Sequence, residues 1–133
     1  MAENYSTTLR NNQLAQIEAT IGTSPTFEVF DGTKPAACSD ADAGTALAII
    51  TLPSDYLTAP SGGSMSKNGT WSGTASGDGT AQYYRIKSSG GTVHIQGTVG
   101  ESGSGADAII DNASVNTGQT VTITAYSKTA GNA

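Results

Sequence analysis

The residues best suited to covalent chemistry are Cys38 and His94, the single cysteine and the single histidine of this 133-residue chain. A thiol beside an imidazole could form a nucleophilic dyad, and a serine activated by His94 would be the hydrolytic alternative. The sequence contains no G-x-S-x-G nucleophile elbow, and Cys38 has no recognisable catalytic setting. One cysteine and one histidine also cannot supply a Cys/His zinc site within one chain.

His94 lies in the strand-like segment TVHIQG. Because side chains alternate along a strand, Val93 and Ile95 are predicted to share one face. The same alternation places His94 and Gln96 on the opposite face. We therefore expect His94 to be a partly exposed strand residue rather than a catalytic base.

Acidic residues form a second candidate site, because Asp40-Ala-Asp42-Ala-Gly44 resembles the opening of a calcium-binding loop. Such a loop also has a third acidic position and a closing glutamate, which supply oxygen ligands to the ion. Both are missing here. A polar loop is the favoured interpretation, and adventitious cation binding is the alternative. Among the eleven acidic residues, the sequence alone marks no pair for glycoside hydrolysis.

Residues 69–79, GTWSGTASGDG, are rich in glycine and could cradle a phosphate or a cation. Neither G-x-x-x-x-G-K-[ST] nor G-x-G-x-x-G is present, and the AQYYRI that follows is typical of a strand instead of a helix. Gly-Thr dipeptides recur along the chain, which suits turns because glycine tolerates positive φ and threonine favours strands. We therefore predict that these glycines mark turns between strands.

Three aromatic residues, Trp71, Tyr83 and Tyr84, could form a platform that stacks on sugar rings. Consecutive Tyr83 and Tyr84 must point to opposite faces of a strand, so one is predicted to be in the core and the other exposed. Use of these rings in the core or in an interface is favoured over stacking on a ligand.

The elements that must position these residues begin with one helix over residues 8–21, where Leu14, Ile17 and Ile21 recur at helical spacing. This apolar face has two interpretations. It packs on the rest of the domain, or it contacts a neighbouring subunit or particle together with the polar arm that precedes it. Residues 1–25 are therefore predicted to form an N-terminal arm and helix.

Strands are predicted beyond the helix. TFEVF at 26–30 alternates, and TALAIITLP at 45–53 is an apolar run too short for a helix between its bounding glycine and proline. SDYL at 54–57 is predicted to form a single helical turn, and QTVTITAYS at 119–127 is the clearest strand. Further short segments between these are each followed by turn residues.

The last strand is expected to place Val121, Ile123 and Ala125 on one face and its threonines on the other. Short strands separated by turns every 8–12 residues or so are typical of sandwiches and jelly rolls. We therefore predict a mainly β protein, with a β-sandwich or jelly-roll-like domain over residues 26–133 and one N-terminal amphipathic helix.

Composition narrows the function classes. The net charge is −5, and the six lysines and arginines are scattered, so no basic patch for nucleic acid is expected. No run approaches the roughly 20 apolar residues of a membrane span, and the first residues do not form a secretory signal, so we expect synthesis in the cytosol. Few large aliphatic residues predict a thin core, which favours stabilisation by partners.

Three segments together, STTLRNNQLAQIEATIGTSP, LPSDYL and DNASVNTGQTVTITAYSKTAGNA, resemble small virion proteins of tailed bacteriophages, above all capsid decoration (cement) proteins. The likeness covers nearly the whole chain and concerns the general character and the order of its segments. It implies a dimeric or trimeric β-domain on the outer surface of the virion head, where it binds the major capsid protein and bridges capsomers. It also implies that the protein is made in the host cytoplasm, has no catalytic residues and needs no cofactor.

For such a protein, the function lies in contact surfaces. The apolar and aromatic residues that we expect to contribute to an interface are Leu9, Leu14, Ile17, Ile21, Trp71 and Tyr84. Two other functions stay open. One is a carbohydrate-binding, receptor-binding or tail-adaptor β module of a phage particle, and the other is a small hydrolase that uses His94.

Overall fold

The computed structural model describes residues 3–131, and within this range the chain forms one helix followed by ten strands. This arrangement confirms the prediction of a mainly β fold with one N-terminal helix. The elements are α1 (Thr7–Ile21), β1 (Thr26–Phe30), β2 (Ala46–Thr51), β3 (Ser64–Ser66), β4 (Trp71–Thr74), β5 (Gly79–Thr80), β6 (Tyr83–Lys87), β7 (Val93–Gly100), β8 (Ala108–Ile110), β9 (Ser114–Val115) and β10 (Thr120–Thr129).

The main sheet has the strand order β2-β1-β6-β7-β8-β10-β3, and β4 also pairs with β10. Neighbouring strands are antiparallel except for β7 and β8, which run parallel. The sheet curls until Ala75, just after β4, forms a bridge with Ala48 in β2. The Ser76 amide also donates to the Leu47 carbonyl at 2.9 Å. The result is a curled, sandwich-like β-domain whose two long faces enclose one core.

The core is built around aromatic rings. Phe27 stacks on Tyr84 with ring centroids 4.6 Å apart, and Tyr126 meets Tyr84 edge-on at 5.5 Å. Trp71 lies 5.3 Å from Tyr126 and is fully buried, as is Tyr84. The polar atoms of these rings are satisfied, because Trp71 Nε1 donates to the Asn68 carbonyl and the Tyr84 hydroxyl donates to that of Tyr126. Large rings therefore compensate for the small number of aliphatic residues.

Tyr83 points to the opposite face of β6, as strand alternation requires, but it is also fully buried. Its ring stacks on Phe30 at 4.9 Å, and its hydroxyl donates to the carbonyl of Ala43. The prediction that one of Tyr83 and Tyr84 is exposed is therefore wrong. The reason is that the loop between β1 and β2 folds back over the outer face of the sheet.

The helix begins at a Ser6 cap, whose hydroxyl accepts from the Leu9 amide, and its inner side chains join the main core. At its first turns, Arg10 donates two hydrogen bonds to the Ala130 carbonyl, from Nε at 3.1 Å and from Nη2 at 2.9 Å. The guanidinium lies against Gly63, whose φ of +78° favours glycine and where a Cβ would lie 2.3 Å from Cζ and displace the guanidinium. The helix is thereby fastened to the end of β10.

Two local predictions are wrong. Residues 54–57 form no helical turn, because Ser54 and Asp55 form a bend and Leu57 bridges to Lys67. In β10 a register shift between Ile123 and Ala125 changes the face of the strand, which leaves Ala125 exposed and buries Tyr126. A β-bulge of this kind adds one residue to one strand and therefore inverts the alternation beyond it.

The glycine-rich segment 69–79 contains β4, a short loop and the start of β5, with no helix directly after it. The turn prediction is wrong for Gly73 and Gly79, which lie within strands. Of its glycines, Gly69 has the positive φ of a turn residue. Gly77 serves a different purpose, because a Cβ there would lie 2.9 Å from the Ala46 carbonyl oxygen. Close approach of two backbones therefore explains part of the glycine content.

Candidate functional site: a groove beside the helix

The structure leaves a groove between α1, the first half of β7 and the end of β10, with a volume of about 380 Å³. It arises because β8 is short and pairs with β7 only at Val99 and Gly100. We call this concavity the helix groove. Five residues of α1 and three strand residues line it. They are Gln13, Gln16, Ile17, Thr20 and Ile21 from the helix, and His94, Ile95 and Lys128 from the strands.

His94 reaches the helix groove because of a bulge in β7. Lys87 of β6 pairs with Val93, whereas Ile86 pairs with Ile95, so His94 is the extra residue between them. His94 and Ile95 consequently both line the helix groove, and Val93 lines a concavity on the other side of the sheet. The predicted faces of Val93 and His94 are therefore wrong, although His94 is partly exposed as expected.

Lys128 provides the groove with a positive charge. Its Nζ lies 4.9 Å from the centroid of the Tyr126 ring, a favourable position for a cation over an aromatic face. Burial lowers the pKa of Lys128, while the more distant charge of Asp107 acts in the opposite direction. Within residues 3–131, no carboxylate forms an ion pair with Lys128.

The phenols beneath Lys128 stay neutral. Burial raises the pKa of Tyr84 to about 12, and it raises the pKa of Tyr126 still further, assisted by the neighbouring Tyr84. The two hydroxyls are 3.0 Å apart and satisfy each other. They therefore stay protonated within the core and do not act as proton acceptors at neutral pH.

A second concavity of about 620 Å³ lies on the opposite face, between the β1–β2 loop and the edge of β6 and β7. Arg85, only 1% exposed, donates to the Asp42 carboxylate at 2.9 Å and to the carbonyls of Asp40 and Ala37. Lys87 bridges Asp42 and Glu28 at 2.8 and 3.0 Å. The loop is thus fastened to the sheet by the chain's own cations.

These contacts explain the role of the acidic loop residues. Burial opposes ionisation of Asp42, but hydrogen bonds and charge from Lys87 and then Arg85 outweigh that effect and lower its pKa. Asp40 accepts from the Ala37 amide at 2.9 Å, as in an ordinary turn. In the part of the chain described here, no three metal-ligating side chains come together. The polar-loop interpretation fits this arrangement.

The structure separates the two residues best suited to covalent chemistry. Cys38 lines the second concavity, whereas His94 lines the helix groove on the other face of the sheet. They do not form a dyad. Among the described residues that line the helix groove, Thr20 carries the one hydroxyl and none is Asp or Glu, so no acid in the lining orients His94 as a base.

The six predicted interface residues divide into two groups. Leu14, Ile21, Trp71 and Tyr84 are buried in the core, and they are not accessible to a partner in this structure. Leu9 is 45% exposed and Ile17 is partly exposed beside the helix groove. The interface prediction therefore depends on Leu9 and Ile17.

The sequence does not single out Lys128, because nothing local in it indicates that the end of β10 lies beside the helix.

Comparison with protein-family models, with curated proteins and with solved structures finds no significant match to this chain. Within residues 3–131, the structure contains no helix with the length and apolar character needed to cross a bilayer.

Proposed function

We propose that the protein is a non-enzymatic structural protein of a tailed-phage virion, which binds the outer surface of the head and stabilises it by bridging capsomers. The observation that carries the proposal is the helix itself. Leu14 and Ile21 anchor α1 in the core and Arg10 fastens it to β10, yet Leu9 remains exposed on the helix and Ile17 lines the helix groove. A rigid domain that presents a firmly held apolar surface suits a contact function.

The arrangement of the reactive groups also supports a contact function. Cys38 and His94 lie on opposite faces, and the buried Arg85 and the half-buried Lys87 hold a loop. A sugar-binding module has less support than the contact function, because the Trp71, Tyr83 and Tyr84 rings that would form its platform are buried.

The test uses heads of a phage whose genome encodes this chain, assembled with the gene deleted. Purified protein is added to heads and, separately, to isolated tails, and bound protein is measured by sedimentation and electron microscopy. We expect saturable binding to heads at a fixed ratio to the major capsid protein, and higher resistance of decorated heads to heat. Binding to tails alone, or to neither particle, would overturn the proposal.

Leu9 provides a sharper prediction. We expect Leu9→Gln to leave the fold unchanged but to weaken head binding roughly fivefold to tenfold, because a half-exposed leucine contributes about 1 kcal/mol when an interface covers it. The matched control is Ile49→Gln, since Ile49 is 51% exposed on β2 and lies outside the helix groove. Equal losses for both variants, or none for Leu9→Gln, would contradict a role for the helix surface.

A further inference from the structure

We propose that the helix groove is the docking site for a segment of the partner that carries an aliphatic side chain next to a carboxylate, with Lys128 as the charged anchor. This inference rests on the proposed function and names the chemistry of the contact. The partner segment belongs to the capsid surface, and its carboxylate meets Lys128 while its aliphatic group packs against Ile17 and Ile95.

Charge complementarity is the first support. Lys128 is partly buried against Tyr126, and no described acid forms an ion pair with it. By contrast, Arg85 and Lys87 are each paired with carboxylates. A desolvated ammonium without an ion-pair partner gains from an incoming carboxylate, since charge-assisted hydrogen bonds are shorter and stronger than neutral ones.

The walls of the groove are the second support. Ile17, Ile21 and Ile95 form an apolar surface, and the amides of Gln13 and Gln16 border it. A volume of about 380 Å³ lies near the lower end of the range of about 300–1,000 Å³ that is usual for binding pockets. Such a groove accommodates a few side chains of an extended segment, whereas a whole helix is too large for it.

A second copy of this chain fits the groove less well. The large hydrophobic residues exposed among the described residues are Leu9 and Ile49. Ile49 lies opposite Glu28 in the β1–β2 pair, but that carboxylate already pairs with Lys87 at 3.0 Å and accepts from Thr26. The carboxylate beside Ile49 is therefore not free to meet Lys128 of a second copy.

The experiment compares Lys128→Met with Lys34→Met in the head-binding assay. Methionine keeps the apolar stem over Tyr126, so thermal unfolding of Lys128→Met is expected to match the wild type. Lys34 is exposed and outside the groove, and its replacement causes the same change in net charge. We expect Lys128→Met to weaken head binding at least tenfold and Lys34→Met to weaken it less than twofold. Lys128→Arg should retain most of the affinity.

Each outcome of this experiment either supports the docking site or overturns it. If wild-type protein binds heads and Lys128→Met binds equally well, the docking site is overturned while the proposed function stands. If wild-type protein binds no heads, the proposed function fails and this inference fails with it. Light scattering is run on the same samples. A wild-type oligomer that Lys128→Met dissociates would show that a second copy occupies the groove, which also overturns the capsid segment as its occupant.

Discussion

Leu14→Asp is expected to unfold the protein, and it is the largest effect that we predict. Leu14 is 4% exposed and belongs to the main core. Truncation of a buried leucine alone costs about 2–5 kcal/mol, and an unpaired carboxylate in the same place adds several more. A domain of this size has a total stability of about 5–15 kcal/mol, so most of it would be lost.

The measurement is urea unfolding followed by fluorescence of Trp71, the single tryptophan, which is fully buried in the native state. The matched control is Leu9→Asp, five residues earlier on the same helix. Leu9 is 45% exposed, and an acid in the first turn of a helix is favourable, so its unfolding midpoint should stay near that of the wild type. A native-like midpoint for Leu14→Asp would mean that the helix does not pack on the β-domain in solution.

The helix and the first strand could both be predicted from the sequence. The helix was predictable because Leu14, Ile17 and Ile21 repeat at its period, and the β1 strand because Phe27 and Val29 alternate with polar residues. Periodicity shows which residues share a face. It does not show whether that face meets the chain's own core or a partner, and this is why both interpretations of the helix stayed open until the structure was known.

The errors have a common physical origin in irregular pairing. The extra residue in β7 moved His94 to the helix side of the sheet, and the shift in β10 exposed Ala125. A bulge depends on the register of the partner strand, which lies far away in the sequence, so local alternation cannot locate it. The burial of Tyr83 has a similar cause, because it requires a loop some 40 residues earlier to cover the sheet.

The helix groove could not be predicted from the sequence. Its walls come from residues 13–21, 94–95 and 128, which meet only through the tertiary fold. Lys128 by itself is one of six scattered basic residues. Its distinguishing features, a cation over the Tyr126 ring and the lack of an ion pair with any described acid, are properties of three-dimensional packing.

Arg85→Met is the second large effect that we predict, because it removes the residue that holds the β1–β2 loop. The Arg85 guanidinium, 1% exposed, bonds to the Asp42 carboxylate, to the carbonyls of Asp40 and Ala37, and to the Gln96 side chain. Without it, these acceptors on the loop and on β7 lose their shared donor. Breaking a buried pair costs about 3–5 kcal/mol, and we expect about 2–4 kcal/mol because Asp42 is partly exposed and the freed loop can hydrate.

Two controls and two measurements make this prediction specific. Arg85→Lys should rescue little, because an ammonium cannot reproduce the planar set of donors. Lys87→Met should cost less, since Lys87 is more exposed than Arg85. Urea unfolding gives the stability, and the rate at which the Cys38 thiol reacts with a disulfide reagent reports loop opening, because Cys38 lies in this loop and is half-buried.

The pH dependence of the same comparison follows from the pKa of Asp42, which the folded state lowers below its usual value near 3.8. A depressed carboxyl pKa stabilises the fold above the unfolded-state pKa, and this contribution is lost as the pH falls through the folded-state value. Lys87, the larger cause of the lowering, is kept in Arg85→Met, so only the share that Arg85 contributes differs between the two proteins. That share of the wild-type advantage should be full at pH 7 and shrink below about pH 4. Equal Cys38 reactivity in the two proteins at pH 7 would show that Arg85 does not hold the loop closed.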